Sequence, residues 1–272
     1  MAVLNSSAVI PSAFNTYGNA ELEVMEAITG PPADQLLRLS GILEAAAQSP
    51  DSGLAVVENA AGGAVLTAKL KSQLPEDAKV RVVAGDVEKT MVDLARNRFD
   101  AAGWKDVDAQ VIDGQNLPFD DESFDFSFIH FGIQLYRDPA KGLSESVRVL
   151  RRGGTLGLTT WHTPGFLPLL QAASPTFPTP PAMLHPLASA STAGAVLAEA
   201  GCDPASIRIE AVRVPVPFAD ADAFFDVMRK GMRGLVQDEE RNARMRQVIQ
   251  ESYGDKPFVL NWDGLALVGR KA

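Results

Sequence analysis

The chain has 272 residues, with 25 Lys and Arg against 34 Asp and Glu, 46% hydrophobic and 22% charged residues; these values exclude a disordered, collagen-like or coiled-coil chain. A formal net charge of −9 argues against nonspecific binding to nucleic acid or to an anionic membrane, because phosphate recognition needs concentrated basic surface. Cys202 is the only cysteine, so no intramolecular disulfide can form and a thiolate-ligated metal centre has too few ligands.

In chain order, Ala20–Ile28 and Ala33–Ala47 carry apolar residues at helical spacing and read as two helices, a cap over residues 1–50. Strand-like runs then alternate with helical ones through residues 51–161. The strands are Leu54–Val57, Val80–Ala84, Val107–Ile112, Phe124–His130 and Thr155–Trp161, and the helices are Val65–Ser72, Glu88–Ala102 and Pro139–Leu150. That alternation predicts a parallel sheet with crossover helices. Seven prolines fall between 164 and 186, so residues 162–190 read as a long loop or lid. Pattern resumes over 191–272, with helices near Thr192–Ala200, Ala221–Met232 and Glu239–Glu251 and strands at Ile207–Val214 and Phe258–Val268. The six basic residues from Arg229 to Arg246 are interleaved with Asp238, Glu239 and Glu240 and read as a solvated helix face. Met1–Phe14 lacks a basic leader region and no run of about 18 apolar residues occurs, which gives the expectation of a single cytoplasmic domain.

The chemistry concentrates at strand ends. The first strand runs through Glu58 and Asn59 into Ala60-Ala61-Gly62-Gly63-Ala64, small residues at the turn before a helix, where a ligand can approach backbone amides. A tight strand-to-helix connection is the plain alternative. Asp86 stands just past the second strand, and Asp113-Gly114 just past the third. Each aspartate alone is equally a helix cap. Three successive polar strand ends favour the ligand reading, since the crevice outside the carboxyl ends of such strands is where ligands bind.

At these residues the chain resembles a class I S-adenosylmethionine-dependent methyltransferase, most nearly the small methyltransferase-like proteins of fungal secondary metabolism. Glu58–Ala64 is similar to that group's Asp-Asn-Ala-Cys-Gly-Thr-Gly loop. Phe124-Asp125-Phe126-Ser127-Phe128, Phe131-Gly132-Ile133, Asp138-Pro139 and Leu150-Arg151-Arg152-Gly153-Gly154-Thr155 resemble its fourth strand, the loop after it and the turn into the fifth. The resemblance implies a doubly wound, Rossmann-like α/β sheet of seven strands whose last strand is antiparallel. It implies S-adenosylmethionine as cofactor, held by Tyr17, Glu58, Asn59, Ala60, Gly62, Asp86, Val87, Asp113, Gly114 and His130. Glu58 would lie near the methionine amino group, Asp86 at the ribose, and Asp113 with Gly114 at the adenine. Ala64 replaces the group's third glycine, so a methyl group is expected at the close backbone approach.

For methyl transfer to a hydroxyl, His130 at the end of the fourth strand is the first candidate base, and His162 the second; His185 in the proline-rich segment is a weaker one. The aromatic pair Phe14 and Tyr17 is placed to close over a sulfonium, with a packing staple as the bland reading. Phe14, Trp161, Phe166, Phe177 and Met183 are the candidate lining of an apolar acceptor pocket, with core packing as the alternative. The histidines lack the spaced carboxylates of a metal site. The expected partner is a small-molecule acceptor, for a chain acting as a monomer or homodimer. A methyltransferase-fold cyclase or isomerase that transfers no methyl, or a non-catalytic binding partner, is the alternative reading.

Overall fold

The computed structural model describes residues 18–48, 53–75, 77–177, 185–231 and 236–272. Helix α1 runs from Asn19 to Ser40 and α2 from Ile42 to Gln48. The break expected between Ile28 and Ala33 is therefore absent: the chain stays helical through Gly30, Pro31 and Pro32, and breaks at Gly41 instead. Each proline removes a backbone donor and crowds the carbonyl four residues earlier, at a cost of about 3 kcal/mol. Burial of Ile28, Ala33, Leu36 and Leu37 on the sheet offsets it, at about 1.5–3 kcal/mol for each large side chain. Gly41 ends α1 in the left-handed region (φ 74°), its N–H donating to the Arg38 carbonyl, a conformation that glycine adopts without a Cβ penalty.

Seven strands form one sheet in the order β3-β2-β1-β4-β5-β7-β6. They are β1 (Leu54–Asn59), β2 (Val80–Asp86), β3 (Val107–Val111), β4 (Phe124–His130), β5 (Leu150–Thr163), β6 (Arg208–Phe218) and β7 (Phe258–Arg270). The first five are mutually parallel; β7 pairs antiparallel with both β5 and β6. Successive strands run outward in opposite directions from the β1–β4 boundary, which makes the carboxyl ends of these two strands the topological switch point of the sheet.

The crossovers are α3 (Val65–Gln73), α4 (Lys89–Ala102) and α5 (Pro139–Arg148). Helix α4 buries Met91, Val92, Ala95 and Phe99, one helical face. In α5, Pro139 occupies the first turn and the Asp138 side chain accepts the Lys141 N–H, a capped start. One face of the sheet holds α1 and α3, whose Leu36, Leu37, Leu66 and Leu70 pack with Val56, Val82 and Phe128. The other face holds α5 and α7 (Ala190–Glu199), with Leu143, Val147 and Leu197 against Ile129, Leu156 and Leu158.

The proline-rich segment opens with a helix, α6 (Phe166–Ala173), rather than a loop. Pro168 sits in its first turn, where no intrahelical donor is needed, and Phe166, Leu167, Leu169 and Leu170 are buried. They join α8 (Ala221–Gly231) and α9 (Glu239–Tyr253) in the core through Phe224, Phe225 and Met245. Among the described residues of the basic stretch, Arg244 and Arg246 are exposed and paired with Glu240 and Asp222, whereas Arg241, paired with Asp238, is largely buried.

Candidate functional site at the switch point

The turn after β1 places Ala60 (φ 56°), Gly62 (φ 55°) and Ala64 (φ 56°) in the left-handed region. For the two alanines this costs about 1–2 kcal/mol each, so neighbouring contacts must hold the loop. The Ala61 N–H donates to the Gly85 carbonyl (2.8 Å), the Ala64 N–H to the Ala61 carbonyl (2.8 Å), and the Gly62 N–H to Asp86 Oδ2 (2.7 Å). Ala64 is fully buried and packs with Ala84, Val92, Ala95 and Phe99. Its methyl thus faces the α4 interface and does not intrude on the crevice as the replacement of a glycine led us to expect. Gly63 lies under α1, where a Cβ would collide with Leu22.

The strand-end residues separate into two tiers. Ala60, Gly62, Asp86, Val87 and Asp113 reach the surface, Val87 with 61% exposure. Glu58, Asn59 and Gly114 are buried beneath them. Glu58 Oε2 accepts both the backbone N–H (3.0 Å) and the hydroxyl (2.5 Å) of Thr67 in α3, while Oε1 has no partner. Burial pushes this carboxyl up to about 7, against the opposing pull of the Thr67 bonds and of Arg98. Glu58 therefore serves the loop from below, by fixing the start of α3. Asp86 spans two backbones, Oδ2 accepting from Gly62 and Oδ1 from Glu88 (2.9 Å); burial also raises it. Asp113 Oδ1 accepts the Gln115 N–H at 2.9 Å. Asn59 Nδ2 donates to the Gly114 carbonyl (3.1 Å) and to Ser146 Oγ (3.0 Å) of α5, so β1, the β3 loop and α5 meet at one amide.

His130 closes β4 on the α1 side of the sheet. Nε2 lies 3.0 Å from the Thr29 carbonyl and Nδ1 2.9 Å from Thr159 Oγ1, which in turn accepts the Phe131 N–H at 3.1 Å. A carbonyl only accepts, so Nε2 carries the proton and Nδ1 accepts from Thr159. Both nitrogens are engaged, and burial drives the imidazole down to about 4. Service as a base requires one of these bonds to open. His162 sits on the opposite face of β5, exposed, with Nδ1 2.9 Å from the Ala188 carbonyl, so the sheet separates it from His130. His185 Nδ1 accepts the Leu187 N–H as a cap.

Trp161 stacks on Phe131 with centroids 4.0 Å apart, and Phe131 (φ 56°) abuts the His130 ring at 4.8 Å. Gln134 holds this tryptophan by a reciprocal pair, Oε1 accepting its N–H (2.9 Å) and Nε2 donating to its carbonyl (3.1 Å). Behind Trp161 a cavity of about 30 Å³ lies between Met25, Ile28, Thr29, Met228 and Trp262, room for about one water. Phe166 belongs to the core instead, and Phe177 packs under the Arg241 guanidinium; neither meets Trp161 at this cavity. Phe14, Tyr17 and Met183 lie outside the described residues. A larger depression, about 560 Å³, lies at the amino-terminal ends of β1 and β2 beside Arg81 and Arg151, the edge opposite the strand-end carboxylates. Thr29, Gln134 and Tyr136 escape the sequence reading; only the place of the last two in the loop after β4 hints at a role.

The model of the ubiE/COQ5 methyltransferase family matches residues 36–176. Methyltransferase tpcH of Aspergillus fumigatus is 28% identical over 148 residues, 54% of this chain and 51% of its own. Demethylmenaquinone methyltransferase of Clavibacter sepedonicus is 35% identical over 131 residues, 48% of this chain and 49% of its own. The chain thus spans about half the length of the curated relatives it matches. Among solved structures, the YcgJ protein of Bacillus subtilis aligns with a TM-score of 0.56 at 16% identity, over 86% of this chain and 97% of that one, a likeness of fold.

Proposed function

The chain belongs to the ubiE/COQ5 methyltransferase family, and from that premise we propose that it transfers a methyl group from S-adenosylmethionine to an oxygen or nitrogen of a small, largely apolar natural product in secondary metabolism. The observation that carries this reading is the upper tier at the switch point, where the Gly62 turn, Asp86 and Asp113 stand on three consecutive strand ends. Their chemistry suits the cofactor. A carboxylate beside the turn accepts from ribose hydroxyls, a second one accepts from an adenine amino group, and the small residues of the turn let the methionyl group approach the backbone closely.

When bound, S-adenosylmethionine supplies a methyl on a sulfonium, whose departure as a neutral thioether needs no acid. The work left to this chain is binding, orientation and exclusion of water. Asp86 would hold the ribose, the small residues of the Gly62 turn would lie under the methionyl end, and Asp113 with Gly114 would hold the adenine. Leu22 of α1 covers Gly63. Phe131, stacked on Trp161, would form an apolar wall for the acceptor. His130, neutral and bonded on both sides, would hold α1 to β4, while an amine acceptor arriving deprotonated needs no base.

Calorimetry with S-adenosylmethionine and S-adenosylhomocysteine tests the cofactor, and mass analysis of offered phenolic and amine acceptors tests the transfer. Binding of both and a product heavier by one methyl are expected. No binding of either at millimolar concentration overturns the proposal, and a product of unchanged mass points to rearrangement instead.

A further inference from the structure

Tyr136 follows the short 3-10 turn Ile133–Leu135 and is enclosed by two glycines. Its ring lies where a Cβ on Gly142 of α5 would collide with Cδ2 and Cε2. Its hydroxyl lies where a Cβ on Gly114 would collide, and the other atom at that point is Asn59 Oδ1. Neither glycine has a positive φ, so the backbone does not require them. Gly142 also occupies a helix interior, where glycine is unfavourable. Space for Tyr136 is the physical reason for Gly142, and space for Asn59 and Tyr136 together is the reason for Gly114.

The hydroxyl and Asn59 Oδ1 are both buried and without partners. They are complementary: the Asn59 Nδ2 group already donates to Gly114 and Ser146, which leaves Oδ1 as acceptor, and a phenol donates. Burial, together with the Asp86 and Asp113 carboxylates, raises the phenol and keeps it protonated. The same loop has a second tether, since the Asp138 N–H donates to Gln115 Oε1 at 2.7 Å and the Gln115 N–H to Asp113 Oδ1 at 2.9 Å.

We propose that Tyr136 is a positioning residue of the cofactor site: its hydroxyl closes on Asn59 Oδ1 across Gly114 and locks the Asp113–Gln115 loop to the end of β1. The proposal rests on the reading that this loop receives the nucleoside of S-adenosylmethionine. Tyr136 touches no ligand in this role and acts through the loop.

The Tyr136→Phe variant keeps the ring and removes the donor. Calorimetric titration with S-adenosylhomocysteine and, separately, with adenosine should show both affinities falling by the same factor, about threefold to tenfold for one lost hydrogen bond. Hydrogen exchange of the unliganded variant should quicken at the Gly114–Asn116 amides. A lower melting temperature with both affinities and loop exchange unchanged makes Tyr136 a packing residue and overturns the proposal. Gly114→Ala should weaken the same ligands, and Tyr136→Phe should add nothing in that background; additive losses also overturn it. If the wild-type chain binds neither ligand, the methyltransferase reading falls, and loop exchange alone decides whether the clamp exists.

Discussion

Thr29 and His130, 101 residues apart, are joined across the boundary between the cap helix and the sheet by a hydrogen bond of 3.0 Å from imidazole Nε2 to the carbonyl. The bond falls in the turn of α1 just before Pro31 and Pro32. Thr159 occupies the other ring nitrogen. The imidazole is thereby fixed as one neutral tautomer, and its protonation would set a cation between a carbonyl and a hydroxyl with no carboxylate bonded to it.

This arrangement ties stability to pH. With its folded value near 4 and an ordinary value of 6.5, the unfolded chain binds a proton between these limits while the folded chain does not. The contribution of His130 is fully present above about pH 6.5 and is lost as pH falls toward 4, by at most about 3 kcal/mol. Urea denaturation across this range should show the stability gap between wild type and His130→Ala narrowing on acidification. A gap independent of pH would mean that the imidazole is not held neutral. The pH–rate profile of the wild type should likewise lack a step near 6.5 from this residue.

Glu58 works in the opposite sense. Its carboxyl is raised from 4.5 to about 7, so the folded chain holds a proton that the unfolded chain has released. Its contribution is present below about pH 4.5 and is lost as pH rises through 7, again by about 3 kcal/mol at most. Between pH 4.5 and 6.5 the slopes of Glu58 and His130 oppose each other, so these two contributions largely cancel. Glu58→Gln keeps an acceptor for Thr67 and removes the titration, so above pH 7 its melting temperature should exceed that of wild type. A variant that melts lower at pH 8 would show that the ionised carboxylate stabilises the loop.

Gly62, Asp86 and Asp113 are legible in the sequence because strand-helix alternation alone fixes where strands end, and a polar or small residue repeated at three such ends marks the edge where the crevice opens. The alternation gives a parallel sheet with crossover helices, while the seven strands and the antiparallel last one come from the family resemblance, and the strand order is read only from the structure. Contacts set by distant packing are not legible. Nothing local says that α1 runs through Pro31 and Pro32, so Thr29 is not a visible partner of His130, and two glycines at ordinary φ do not announce Tyr136. Phe166 and Phe177 read as pocket residues because composition cannot show on which side of the chain α9 packs. His162 differs from His130 only in the parity of its strand position, which the bulge between Trp161 and Thr163 leaves unreadable without the register.

Asp86 carries three loads, the Gly62 and Glu88 amides and the proposed ribose contact. Asp86→Ala should therefore weaken S-adenosylhomocysteine binding by about 1–3 kcal/mol, roughly tenfold to a hundredfold in calorimetry, and should speed hydrogen exchange at Gly62. Asp86→Asn retains one acceptor oxygen and should fall between the two. Unchanged affinity in the alanine variant would remove Asp86 from the cofactor site, whatever its effect on the turn.

The seal between α1 and the turn rests on Leu22 lying in the space above Gly63, aided by the Arg98–Glu26 ion pair at 2.7 Å and by a contact from Arg98 to the Ala64 carbonyl. Gly63→Ala forces a methyl into Leu22 and should destabilise the protein by about 1–3 kcal/mol through overpacking. Leu22→Ala alone leaves a gap beneath the helix and is also destabilising. Combined, the two changes restore volume, so the double variant should lose less than the sum of the single losses, a coupling that chemical denaturation can measure. Losses that simply add would mean that α1 does not bear on Gly63, and the cap would then shield the turn through Arg98 alone.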